Sequence, residues 1–232
     1  MLPAVTGLVA AALAARVGGS TVRRATLAKP FWAVGLLLFA IAAAAEAYGV
    51  ATGWSAPGFR VYYLVGGCLC VAVLGVGSAF QTLPRPAALV LAGAVAASCV
   101  AATVGVLLER VDPVRLAAAH GLAPPVNATL GGHAFLWAIA LNVVGTSLLG
   151  GAALASIARR RNVRGNALIV AGVVAVAGSG SLTRLGSYGL VFVGQIVAVA
   201  LLAAGFELSS PARPRRSGGL LGVSEARSRP TA

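Results

Sequence analysis

The sequence predicts an all-α integral membrane protein, a bundle of seven transmembrane helices with the N-terminus outside and the C-terminus cytoplasmic. Three observations carry that expectation. Seven apolar stretches follow one another along the 232 residues. The composition, 59% hydrophobic and 10% charged, lies far from the roughly 25% of charged residues usual in soluble domains. The 18 Lys and Arg residues fall mainly into alternate gaps between the stretches, which is how cytoplasmic loops are marked.

The first stretch, residues 1–15, is short, about 22 Å long at 1.5 Å per residue. It has no positive charge in front of it and is followed by Arg16, Arg23, Arg24 and Lys29. A secretory signal carries its charges ahead of the apolar run, so a retained helix with an outside N-terminus is expected, lengthened by snorkelling of Arg16. The later spans are expected at residues 30–50, 61–82, 87–108, 132–157, 167–183 and 188–208. Their lengths lie near the ~20 residues that a hydrocarbon layer requires. Pro30 and Pro86 stand at the entrances of the second and fourth, where a missing N–H costs nothing. Small residues recur inside the spans, among them Gly35, Gly66, Gly67, Gly75, Gly145 and Gly172, and predict close helix contacts.

The expected inside loops hold fourteen cations: Arg16, Arg23, Arg24, Lys29, Arg85, Arg159, Arg160, Arg161, Arg164 and the tail arginines 213, 215, 216, 227 and 229. The outside loops hold four: Arg60, Arg110, Arg115 and Arg184. That asymmetry sets the orientation. Aromatic residues agree, with Phe31, Trp32, Phe80 and Phe206 at the inner edge and Tyr48, Trp54, Tyr62, Tyr63 and Tyr188 at the outer, the two depths where interfacial rings gather. The longest loop, residues 109–130, contains Pro113, Pro124 and Pro125 and is expected to cap the outer mouth. Residues 1–209 form the bundle, and residues 210–232, made largely of Pro, Arg, Ser and Gly, a disordered basic cytoplasmic tail.

Polar groups inside the spans carry the functional expectation, because an ionisable residue in hydrocarbon is a functional hypothesis by default. Glu46 lies about one turn inside the outer end of the second span. The eight bulky apolar residues between Phe31 and Ile41 contribute roughly −2 to −5 kcal/mol to insertion, against at most about +3 for the acid. Arg60, Tyr63, Asn142, Arg184 and Gln195 are placed at similar or adjacent depth. Together with Glu46 they are the candidate ligand-binding residues, with Thr103, Ser179 and Ser181 adding hydroxyls. The functional reading bridges Glu46 to Arg60 or Arg184 below an outward-opening polar cavity. The bland one has the arginines snorkelling to headgroups and the amides cross-linking helices.

Several chemistries are disfavoured. The five acids, Glu46, Glu109, Asp112, Glu207 and Glu225, put no two in one embedded site, as two-metal phosphoryl transfer needs. His120 and His133 are too shallow for the paired axial ligands of a haem, and no cofactor is expected. Cys68, Cys70 and Cys99 lie inside apolar stretches and are expected to pack as small hydrophobes, although Cys68 and Cys99 share a depth. Ser179 and Ser181 lack a base in reach. The threading resembles that of microbial rhodopsins, but those attach retinal to a lysine in the last helix, whereas the one lysine here is Lys29. The net charge of +13 is explained by membrane topology, so no nucleic acid is expected.

A narrower likeness covers about a quarter of the chain: Ala45-Glu46-Ala47-Tyr48-Gly49, Gly53-Trp54, Arg60-Val61-Tyr62-Tyr63-Leu64-Val65-Gly66 and Ser181-Leu182-Thr183-Arg184-Leu185-Gly186. In these residues the chain resembles a group of uncharacterised bacterial multi-pass membrane proteins. The resemblance implies a shared role for Glu46, Arg60 and Arg184 and no particular mechanism. The expectation is a non-enzymatic protein of the plasma (cytoplasmic) membrane that binds a small molecule or lipid from the outer side. It would act as a sensor or accessory subunit beside a membrane-protein partner or another copy of itself. A small-solute transporter with a polar site between helices is the alternative.

Overall fold

Ala- and Leu-rich runs with Pro confined to their first turns favour helix throughout, and helix is what forms. The computed structural model describes residues 2–21, 27–119, 129–130, 132–184 and 188–209. In chain order the helices are α1 (Leu2–Thr21), α2 (Ala28–Thr52), α3 (Ala56–Thr82), α4 (Arg85–Leu108), α5 (Pro113–Ala118), α6 (Gly132–Ala158), α7 (Val163–Arg184) and α8 (Tyr188–Ser209). Among the described residues there is no strand, only an isolated antiparallel bridge between Val111 and Leu130. Four helices, α2, α3, α4 and α6, are long and apolar enough to cross a membrane. The other three long ones contain shorter apolar runs, Ala4–Gly19, Val163–Val176 and Val193–Ser209.

Two element boundaries move from their expected places. The α1 helix continues past Ala15 to Thr21, carrying Arg16 into an ion pair with Glu207 of α8 at 2.6 Å. The α3 helix begins at Ala56 rather than residue 61, because Ser55 accepts the Gly58 N–H at 3.2 Å as N-cap and Pro57 occupies the first turn. Arg60 therefore lies inside a helix, not at its entrance. The basic tail falls outside the described residues.

Helix neighbours form a closed ring in the order α1, α2, α3, α6, α7, α8, with α8 returning to α1 and α4 packed outside against α3 and α6. The inner core takes Val17, Trp32, Leu36, Leu74, Leu149, Ile169, Leu202 and Phe206 from all six ring helices. A second core joins α3, α4, α5 and α6 through Phe59, Tyr63, Val76, Val106, Leu116, Leu130 and Leu141. Leu116 and Leu130 thus bring the described part of the connection between α4 and α6 down onto the bundle.

Two seams depend on glycine. A Cβ built on Gly145 would stand 2.5 Å from the Val71 carbonyl oxygen, and one on Gly75 would stand 2.7 Å from the Gly145 oxygen. Parallel helices α3 and α6 therefore meet backbone to backbone, the close approach that small residues allow in a bilayer. The α7–α8 pair does the same at Gly165 and Gly205.

Among the described residues, Arg16, Lys29, Arg85, Arg159, Arg160, Arg161 and Arg164 stand at one end of the bundle. There Phe31 stacks on Phe80 at 5.3 Å and Trp32 on Phe206 at 4.6 Å. Trp32 corrects its expected role as an interfacial anchor: it is 0% exposed, inside the core. At the same end, α6 finishes in a Schellman turn, with Arg161 N–H donating to the Ser156 oxygen and Arg160 N–H to the Ile157 oxygen, both at 2.8 Å. This motif places one residue in the left-handed region, usually glycine; here it is Arg160 at φ 53°. Asn162 follows at φ 45°. The buried Asn166 amide donates to the carbonyls of Arg161 and Asn162 at 3.1 Å each, and the Asn162 amide reaches the Ser209 oxygen at 3.1 Å.

Candidate functional site

The C-terminal end of α2 and the start of α3 are folded together by a tight connection. Gly53 supplies a φ of 93°, which a residue with a Cβ rarely adopts. Trp54 lies flat against α2, since a Cβ on Gly49 would come within 2.5 Å of its ring. Trp54 meets Phe59 edge-on at 5.8 Å and Tyr62 at 5.2 Å, and Phe59 stacks against Tyr63 at 6.4 Å. The hairpin thereby packs four aromatic rings beside the depth of Glu46.

Glu46 is only 5% exposed. Its Oε1 accepts from the Tyr62 hydroxyl at 3.5 Å, a long bond. Among the described residues the ion pairs are Arg16–Glu207 and Arg115–Asp112, neither involving Glu46. The expected bridge from Glu46 to Arg60 is not formed. Arg60 Nη2 donates instead to the Glu109 carbonyl at 2.7 Å, beyond the end of α4, and its Nε is buried without a partner. The cause is helical phase: residues two apart on a helix do not face one another, so with Tyr62 turned to α2, Arg60 is turned away. The Arg184 side chain lies outside the described residues, as do Ser179 and Ser181.

Tyr63 and Asn142 are committed to the scaffold. The Tyr63 hydroxyl donates to the Ala134 carbonyl at 3.0 Å, joining α3 to α6. The Asn142 amide donates to the Ala138 carbonyl of its own helix at 2.8 Å and to the Gly67 carbonyl of α3. Gly67 belongs to a stretch missed in the sequence: residues Tyr63–Leu69 wind as a π-helix within α3. Such segments are rare and frequent at functional sites, because the extra residue disturbs the carbonyl ladder. The adjacent glycines Gly66 and Gly67 were the available signal. Gly66 also lets α2 approach, a Cβ there standing 2.8 Å from Ala42 Cβ.

The remaining candidates separate from this group. Gln195 is half-buried on α8, which packs on α1 and α7 across the ring from α3. The Thr103 hydroxyl is spent on the Cys99 carbonyl at 2.7 Å. His133 is exposed at the start of α6, and His120 lies outside the described residues. All three cysteines are free thiols, and Cys70 donates to the Gly35 carbonyl at 3.3 Å.

What the structure brings together is therefore narrower than expected: Glu46 with Tyr62 on one face of α3, Arg60 with the end of α4 on another, and an aromatic layer between α2 and α3. A buried carboxyl with a single long hydrogen bond keeps most of its accepting capacity, which suits a ligand bringing donors or positive charge. Compared with known proteins, the chain matches no family model, no curated protein and no solved structure.

Proposed function

We propose that this is a seven-span, non-enzymatic protein of the plasma membrane, N-terminus outside and C-terminus cytoplasmic. Its outer half binds a small molecule or lipid at Glu46, and it serves as a sensor or as an accessory subunit of a membrane assembly. The loop charge asymmetry supports the orientation, and the shorter apolar runs of α1, α7 and α8 supply the three further spans. The observation that carries the ligand reading is Glu46 itself: a carboxyl 5% exposed whose hydrogen bond comes from Tyr62 alone among the described residues. Desolvating an acid without a cation is costly, so an occupant with a donor or positive charge gains from meeting it. The test is mild extraction from the native membrane followed by mass spectrometry of what accompanies the wild-type chain and the Glu46→Gln variant. A small molecule or lipid held by the former and lost from the latter is expected; identical profiles overturn the reading.

The π-helical segment favours a second reading. Transporters place their sites at interrupted helices near the bilayer midplane, and here the interruption meets the Asn142 amide. Solute uptake into proteoliposomes that is abolished by Asn142→Leu supports transport. Stable co-purification with a membrane protein and no flux supports the accessory role.

A further inference from the structure

The turn between α6 and α7 carries Arg159, Arg160 and Arg161, and Arg164 stands in the first turn of α7; all four are exposed. Among the described residues none of them forms an ion pair, and the nearby acid Glu207 is already paired with Arg16. The turn is a built element, held by the Schellman bonds and the Asn166 amide. Within it Arg160 is kept at φ 53°, where glycine is the unstrained choice. The chain uses 30 glycines elsewhere, and a glycine here would still leave Arg159, Arg161 and Arg164 to mark the cytoplasmic side. Topology alone therefore does not account for a guanidinium in a strained conformation. The Asn162 amide also fixes the end of α8 beside the turn.

We infer that this turn is a binding site for the phosphate of an anionic phospholipid headgroup, engaged by Arg159, Arg160 and Arg161. Guanidinium presents a planar fork that matches phosphate oxygens, and basic clusters just outside a span recognise anionic lipid. The turn follows α6, one of the helices long and apolar enough to cross, which puts it at headgroup level. The inference needs that embedding and is independent of any ligand at Glu46.

The test places the full chain in phosphatidylcholine nanodiscs doped with phosphatidylglycerol and counts retained lipid by native mass spectrometry. Phosphatidylglycerol is expected to be retained over phosphatidylcholine, with each guanidinium contributing about five-fold. Arg160→Gly suits the backbone, so it should fold with equal or higher thermal stability and lose about five-fold in retention, while Arg160→Lys recovers part of it. Joint replacement of Arg159, Arg160 and Arg161 by Gln should lose on the order of a hundred-fold. Millimolar inorganic phosphate should leave retention unchanged. Equal retention of both lipids, undiminished retention in Arg160→Gly, or full displacement by inorganic phosphate overturns the proposal.

Discussion

Tyr62 and Arg160 show how single side chains here are set by backbone phase rather than by charge. Arg60 carries the countercharge that Glu46 would pair with, yet helical spacing gives the contact to Tyr62, two residues further on. A double-mutant cycle between Glu46→Gln and Tyr62→Phe should return a coupling of about 0.5 to 1 kcal/mol, the usual size for polar pairs within a bilayer. The cycle between Glu46→Gln and Arg60→Ala should return a value near zero. Reversible unfolding in mixed micelles reads both. At the other end, Arg160→Gly should raise stability by about 1 kcal/mol, because it releases the Cβ clash of the left-handed conformation. A fall in stability would mean that the Arg160 side chain makes contacts that outweigh that strain.

Among elements, α3 holds the most information. It contributes to both cores, carries the π-helical turn, and meets α6 through Gly75 and Gly145. Gly145→Ala should push that seam apart, since the atoms it would strike are the Val71 carbonyl and the next peptide nitrogen, which no rotamer change can move. A cost of about 1 to 3 kcal/mol, typical of overpacking, is expected in thermal unfolding, with Gly150→Ala near zero because its nearest neighbour lies 4.0 Å away. Asn142→Leu removes the amide that donates to the Gly67 and Ala138 carbonyls and should cost about 1 kcal/mol. The helices themselves were legible in the sequence, because hydropathy and terminal prolines act locally. So was the clustering of Phe31 with Phe80 and of Trp32 with Phe206 near one depth. The π-helix and the facing of Arg60 were not: both turn on rotation about the helix axis, and an apolar pattern this uniform around each helix leaves that rotation unspecified. Trp32 was misjudged for a related reason, since ring closure by α8 buries a side chain that an open bundle would leave at the interface.

For the whole molecule, the decisive question is which end faces which compartment. Thiol labelling of Ala117→Cys, on the exposed face of α5, should succeed with an impermeant reagent on intact cells. Labelling of Arg161→Cys should require permeabilised membranes. The reverse pattern would invert the map of charges and place the Glu46 group on the cytoplasmic side.

The return of α8 to α1 also governs how the molecule is assembled. Until the last 22-residue helix leaves the ribosome, Trp32 of α2 has no Phe206 to cover it and α7 has no partner for its tight glycine crossing. The nascent protein must therefore wait, open on one side, with an apolar furrow and a helix seam turned to the bilayer.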